Sequence, residues 1–221
     1  MRNTVLIFIV LSSLFLGSAA FAQKSFEGKV TYGITYNNLP PEMEQMKSML
    51  PSESVLYIKG NMSRTEQSLG MGGNQVVISD SKNKTGRVLI DGMGGKYFIK
   101  VSKEEIEKTE KQNPEPKFNY ESETKKIAGY NCNKAEAKFE GMEEMLAIFY
   151  TEEIPADKNT QFKGLKGFPL EYETASGGFK MTISAKSVSR EAVSDALFKI
   201  PEGYKETTME ELSKMMGQGG N

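Results

Sequence analysis

Between Phe26 and Tyr36 the apolar residues Phe26, Val30, Tyr32, Ile34 and Tyr36 fall on even positions. Glu27, Lys29, Thr31 and Thr35 fall between them. Alternation with a period of two predicts a half-buried antiparallel strand, because successive side chains point to opposite faces. Shorter runs of the same kind follow at 54–59, 62–69, 75–80, 87–91 and 97–101. The glycines around Gly70-Met71-Gly72-Gly73 and Gly92-Met93-Gly94-Gly95 suit the tight turns of hairpins. The second half repeats the style at 118–125, 130–139, 145–151, 170–173 and 179–188. Strands at this spacing predict a mainly β protein: a curled antiparallel sheet forming an unclosed half-barrel, with two or three covering helices.

Three helices are expected. Pro40 and Pro41 open one over 42–50, with Met43, Met46 and Leu50 on a shared face. Ser102 and Glu105 have the spacing of a capping box for a second, running to about Gln112. Ile106 is its only large apolar residue, so it belongs on the surface. Thr207 with Glu210 would cap the third, over 209–216, ahead of a disordered Gly-Gln-Gly-Gly-Asn tail. Asn113-Pro114-Glu115-Pro116 reads as a loop, since neither half has enough strands to close a core alone.

The start of the chain changes the picture from fold to address. Arg2 precedes an apolar run from Val5 to Leu16, and Ala20-Phe21-Ala22 ends it with small residues at alternate positions. That is the plan of a secretory signal peptide, with cleavage expected after Ala22. The run is shorter than the ~20 apolar residues of a spanning helix, so no integral membrane span is expected after cleavage. The expected organisation is a signal peptide at 1–22, one β half-barrel domain at 23–206, and a helix and tail at 207–221. The expected location is outside the cytoplasm, with the periplasm ahead of outer-membrane association or secretion.

Removing residues 1–22 takes away only Arg2, so the formal charge of −1 becomes −2. Lysines and glutamates are interspersed, without the basic face that nucleic acid requires. Cys132, the single cysteine, can form no internal disulfide. It is expected to be a buried, inert thiol.

The chain contains no histidine. That removes Ser-His-Asp and Cys-His catalysis and the commonest zinc ligand, and an enzyme is not expected. Ser-x-x-Lys occurs at Ser79/Lys82, Ser81/Lys84 and Ser122/Lys125, in turns and strand ends rather than on a buried helix. The pairs Glu143-Glu144 and Glu152-Glu153 are adjacent, so on a strand they diverge. Met43, Met46 and Met49 place three soft thioethers along one short segment, which suits Cu(I). On a helix, however, Met43 and Met49 stand about 120° apart. Such methionines also serve as adaptable packing or as part of an apolar ligand site.

Four blocks in the second half carry a resemblance: Ile127-Ala128-Gly129-Tyr130-Asn131-Cys132-Asn133-Lys134-Ala135, Tyr150-Thr151-Glu152-Glu153-Ile154-Pro155, Gly164-Leu165-Lys166-Gly167-Phe168-Pro169-Leu170-Glu171 and Ala196-Leu197-Phe198-Lys199-Ile200-Pro201-Glu202-Gly203-Tyr204. They resemble a group of uncharacterised Gram-negative envelope proteins, a domain of unknown function similar to the lipoprotein-carrier superfamily that includes LolA and LppX. The resemblance spans roughly residues 115–206. It implies an unclosed barrel whose helices plug a concave, apolar cavity, and it implies no catalytic residues and no cofactor.

The expected function is therefore non-enzymatic binding or carriage of an apolar ligand, a lipid acyl chain or a lipidated protein. Candidate lining residues are Tyr32, Ile34 and Tyr36 on the first strand, Met43, Met46 and Leu50 above it, and Leu146, Ile148 and Tyr150 in the second half. Two rivals remain open: a self-packed module that binds another envelope protein, and Met-based copper binding.

Overall fold

A computed structural model describes residues 25–70, 72–92, 94–112, 115–176 and 179–218. The expected signal peptide and the last three residues of the tail lie outside the described residues. Twelve strands form one unclosed sheet. The first half contributes β1 (Gly28–Asn37), β2 (Glu53–Lys59), β3 (Met62–Gly70), β4 (Gly73–Asp80), β5 (Thr85–Gly92) and β6 (Gly95–Val101). The second contributes β7 (Lys117–Ile127), β8 (Tyr130–Lys138), β9 (Leu146–Thr151), β10 (Phe168–Ser176) and β11 (Phe179–Arg190). A two-residue strand, β12 (Lys205–Glu206), adds in parallel to the outer edge of β6 and was not foreseen.

The spatial order is β12-β6-β5-β4-β3-β2-β1-β11-β10-β9-β8-β7. Each half is thus an up-and-down meander, and the two join where β1 pairs with β11 over its whole length, from Gly28↔Arg190 to Asn37↔Lys180. The register slips between Thr31 and Tyr32, opposite Ser187 and Ala185, which leaves Lys186 as the extra residue of a bulge. Gly33 makes room for it: a Cβ there would stand 2.6 Å from the Lys186 side chain.

The sheet rolls up at its second end. Lys125 on the outermost strand reaches Glu171 on β10, with Nζ 2.7 Å from the carboxylate, although β8 and β9 lie between them in the sheet. A bulge between Tyr120 and Thr124 permits the bend. Along β8, Ala135 and Ala137 are buried on one face and Cys132 on the other. The rolled-over hairpin brings Ile127 and Cys132 into a core with Phe149, Phe168 and Leu170.

Two connecting segments without α-helix, each with one short 3₁₀ turn (Ala156–Lys158 and Asp195–Phe198), cover the sheet. Residues 152–167 place Phe162 and Leu165 on Ala135, Ala137, Ile148 and Tyr150. Residues 191–204 place Val193 and Phe198 on Val76, Ile78 and Leu89. Each such buried side chain contributes roughly 1.5–3 kcal/mol of apolar transfer. Polar ties hold the second segment down. Lys59 Nζ donates to the Val193 carbonyl at 2.8 Å, Arg64 Nη1 to the Leu197 carbonyl at 2.8 Å, and the Val193 N–H to Glu27 at 2.8 Å.

The first and last helices depart from expectation. Instead of one helix over 42–50 there is a single turn, α1 (Pro41–Glu44), then a 3₁₀ turn at Lys47–Met49. Leu50 precedes Pro51 and is extended, at φ −80° and ψ 149°, because the proline ring excludes the helical region for its predecessor. No side chain caps the N-terminus either. Nothing in these two turns is buried, so they cover no core. The helix α2 (Lys103–Gln112) lies on the surface as expected, with its capping box formed: Ser102 N–H to Glu105 at 2.7 Å, and Glu105 N–H to Ser102 Oγ at 3.2 Å. The last helix, α3 (Met209–Gln218), is capped one residue later than the spacing suggested. Thr208 Oγ1 accepts from the Glu211 N–H at 3.2 Å, and Glu211 accepts from both Thr207 and Thr208. The helix runs past Met216 to Gln218, into the stretch expected to be disordered.

Candidate functional site

The sequence-derived lining residues do not converge on one hollow. Tyr32 is buried beside Phe168, Pro169 and Tyr172, and its hydroxyl donates to the Pro169 carbonyl at 2.9 Å. The space at this point amounts to about 70 Å³, roofed by residues 158–161. Burial, and secondarily the nearby Tyr172, hold the Tyr32 phenol well above its ordinary pKa. Burial pushes Tyr172 to about 12. Neither ionises near neutrality.

Farther up the same strand Ile34 and Tyr36 are half-buried, and Tyr36 donates to the Pro51 carbonyl at 2.7 Å. Its ring leans on Phe179, with centroids 5.8 Å apart. Leu146, Ile148 and Tyr150 are all buried, and Ile148 and Tyr150 lie together under Phe162 and Leu165. Met43 and Leu50 are half-exposed and Met46 is 52% exposed, joined to no core cluster. Tyr32 thus belongs to one core cluster and Ile148 and Tyr150 to another, while Ile34, Tyr36, Met43, Met46, Leu50 and Leu146 belong to neither. Tyr172 is the link between the cores, its ring 6.2 Å from Tyr32 and 5.1 Å from Phe162.

Phe162 and Leu165 are what sequence reasoning missed. They stand three apart in a Gly- and Asn-containing stretch with neither strand nor helix period, so nothing marked them as a cover. Asn159 builds that stretch locally: its Oδ1 accepts from the Gln161 and Phe162 N–H groups, and its Nδ2 donates to the Phe162 carbonyl.

Cys132, Ser184 and Lys134 are each engaged by their surroundings. Cys132 is fully buried, and burial pushes its thiol up to about 11. Ser184 donates to Glu171, which also receives Lys125, so that hydroxyl faces an acceptor already paired. Lys134 is pushed up to about 12 by its hydrogen bonds to Glu123 and Glu121. Among the described residues, no three His, Cys, Asp or Glu side chains converge on a metal position. No described helix is long and apolar enough to cross a membrane.

Larger hollows open elsewhere. One of about 590 Å³ lies between the end of α2 and the β8–β9 connection, lined by Glu110, Glu115, Phe139, Glu140, Met142 and Lys163. Another, of about 440 Å³, opens on the face of β2–β5.

No family model matches the chain, and no curated protein matches its sequence. In architecture it is similar to the structures of PNGF-II solved in the C2 and P21 space groups, with TM-scores of 0.54 and 0.53 and 15% identity. The match covers 88% of this chain but 33% and 34% of those, so this chain spans about a third of their length. The likeness is one of fold. These neighbours are PNGF-II rather than LolA or LppX, and the carrier resemblance rests on the four sequence blocks alone.

Proposed function

We propose that this chain is a non-enzymatic, exported interaction module that docks another envelope protein through one end of its sheet. The carrying observation is where large apolar side chains remain exposed. Among the described residues six such side chains are exposed: Met46, Met49, Leu69 and Met145 belong to connections or strand ends at one end of the sheet, the one from which β2 and β9 start, while Met209 and Met215 lie on α3. Methionine is flexible and polarisable, and it adapts to a partner's shape better than branched residues do. The interior supports the same reading. The space beside Tyr32 is small against the ~300–1,000 Å³ of ligand pockets, and the protein's own Phe162 and Leu165 occupy the place an acyl chain would need. A fold that makes up a third of the PNGF-II chains also suits a module.

The test uses a photo-crosslinking amino acid at Met46, at Met145 and, at the opposite end of the sheet, at Asn83. In the native host, Met46 and Met145 should give the same discrete protein adduct and Asn83 none. Equal adducts from all three positions, or none from any, would reject the docking end. Lipid recovered in stoichiometric amount by solvent extraction of the purified protein would favour the apolar-ligand reading instead.

A further inference from the structure

Beside residues 191–204, on the same face of β2–β5, lies a trough of about 440 Å³. Cross-strand register builds its floor. Val55, Glu66 and Val76 form one row across β2, β3 and β4, and Ser68, Asn74 and Asp91 form the next across β3, β4 and β5. Tyr204 stands at its wall, with Lys96 Nζ 5.7 Å from the ring centroid. At the lower end lies Arg64, 9% exposed. Its Nε is 2.6 Å from Glu66 and its Nη1 donates to Leu197, while among the described residues Nη2 has no hydrogen-bond partner.

The charges in the trough are matched. Glu66 is held by Arg64, Asp91 by Lys96 at 2.8 Å, and Glu53 by Lys186 at 3.2 Å. An incoming cation would have to displace one of these partners, and an incoming anion would face three carboxylates. A neutral ligand meets neither obstacle. It finds carboxylate acceptors, a guanidinium donor, the Asn74 amide offering both, and an aromatic ring at the side. That set matches vicinal hydroxyls over a sugar ring. A peptide strand is poorly suited, since β2, β3, β4 and β5 are each paired on both sides and present no free edge to extend.

We infer that this trough is a binding site for a neutral saccharide. The inference stands apart from the docking end, which uses other residues. The test is an amide NMR titration of the 15N-labelled protein with cellotriose, maltotriose and chitotriose, each to about 20 mM, the range of weak binding. At least one should shift the amides of Glu66, Ser68, Asn74 and Asp91 saturably. Asn74→Leu and Tyr204→Leu, whose spectra elsewhere should overlay the parent's, should each weaken that binding roughly tenfold. The site is disproved if no trisaccharide moves these amides, if both variants bind as the parent does, or if pentalysine moves the same amides at lower concentration than any trisaccharide.

Discussion

Tyr32 and Pro169 are 137 residues apart in sequence, yet the tyrosine hydroxyl donates to the proline carbonyl at 2.9 Å in a buried setting. The bond crosses from β1 to β10 over the strand between them, tying the two meanders together. Tyr32→Phe leaves that carbonyl without its donor. The expected loss is about 1–2 kcal/mol in the free energy of unfolding by urea. An unchanged midpoint would mean that the bond contributes nothing.

The 191–204 segment lies on the sheet chiefly through Phe198, which is 8% exposed against Val76, Ile78 and Leu89. Phe198→Ala should cost roughly 3–5 kcal/mol, and amide exchange in β4 and β5 should accelerate with it. A loss under about 1 kcal/mol would show that the segment is dispensable to the core.

Gly167 has no room for a side chain. A Cβ there would stand 2.4 Å from the Thr151 carbonyl oxygen and 2.6 Å from the Tyr150 ring. The backbone oxygen cannot step aside without disturbing the β9–β10 pairing that begins at Phe168↔Thr151. Gly167→Ala should therefore destabilise by about 1–3 kcal/mol, read as a lowered thermal midpoint.

Cys132 makes the alkaline limb of stability measurable. Burial raises its folded pKa from 9.0 to about 11, so between those values the unfolded chain ionises while the folded one stays protonated. Its contribution is complete below pH ~9 and fades as pH rises towards 11, about 2–3 kcal/mol in all. Cys132→Ala should flatten that slope in denaturation curves taken from pH 8 to 11. A residual slope above pH ~10 is expected from Tyr32 and Tyr172, whose phenols are also raised. At pH 8 the native thiol should resist a disulfide-exchange reagent and react once the protein is unfolded.

Most of the strands were legible because each is a short period-two run bounded by glycine. Val76 and Ile78 on β4, and Leu89 on β5, are typical, buried at alternate positions. The order of the strands was not legible, since nothing local to β1 says that its second neighbour is 150 residues away. The 42–50 helix was misread because the spacing of Met43, Met46 and Leu50 outweighed the effect of Pro51 on its predecessor. The covers at 152–167 and 191–204 were invisible for a different reason: irregular backbone leaves no period to detect. As for the candidate site, Tyr32, Ile148 and Tyr150 were recognisable as apolar-face residues. Their neighbours Phe162, Phe168 and Tyr172, which decide how much space is left, come from elements whose contact with them is non-local.

The seam between β1 and β11 has a kinetic consequence. A ribosome delivers residues 28–37 long before residues 179–190, so the strand at the middle of the finished sheet waits for its second partner while the chain of β2 to β10 is made. Until then β1 offers an open hydrogen-bonding flank with Val30 and Tyr32 beside it, a surface that sticks to other nascent chains. Ending translation at residue 176 would leave ten strands formed in sequence yet the centre unzipped, and such a chain should aggregate rather than fold to a smaller version of itself.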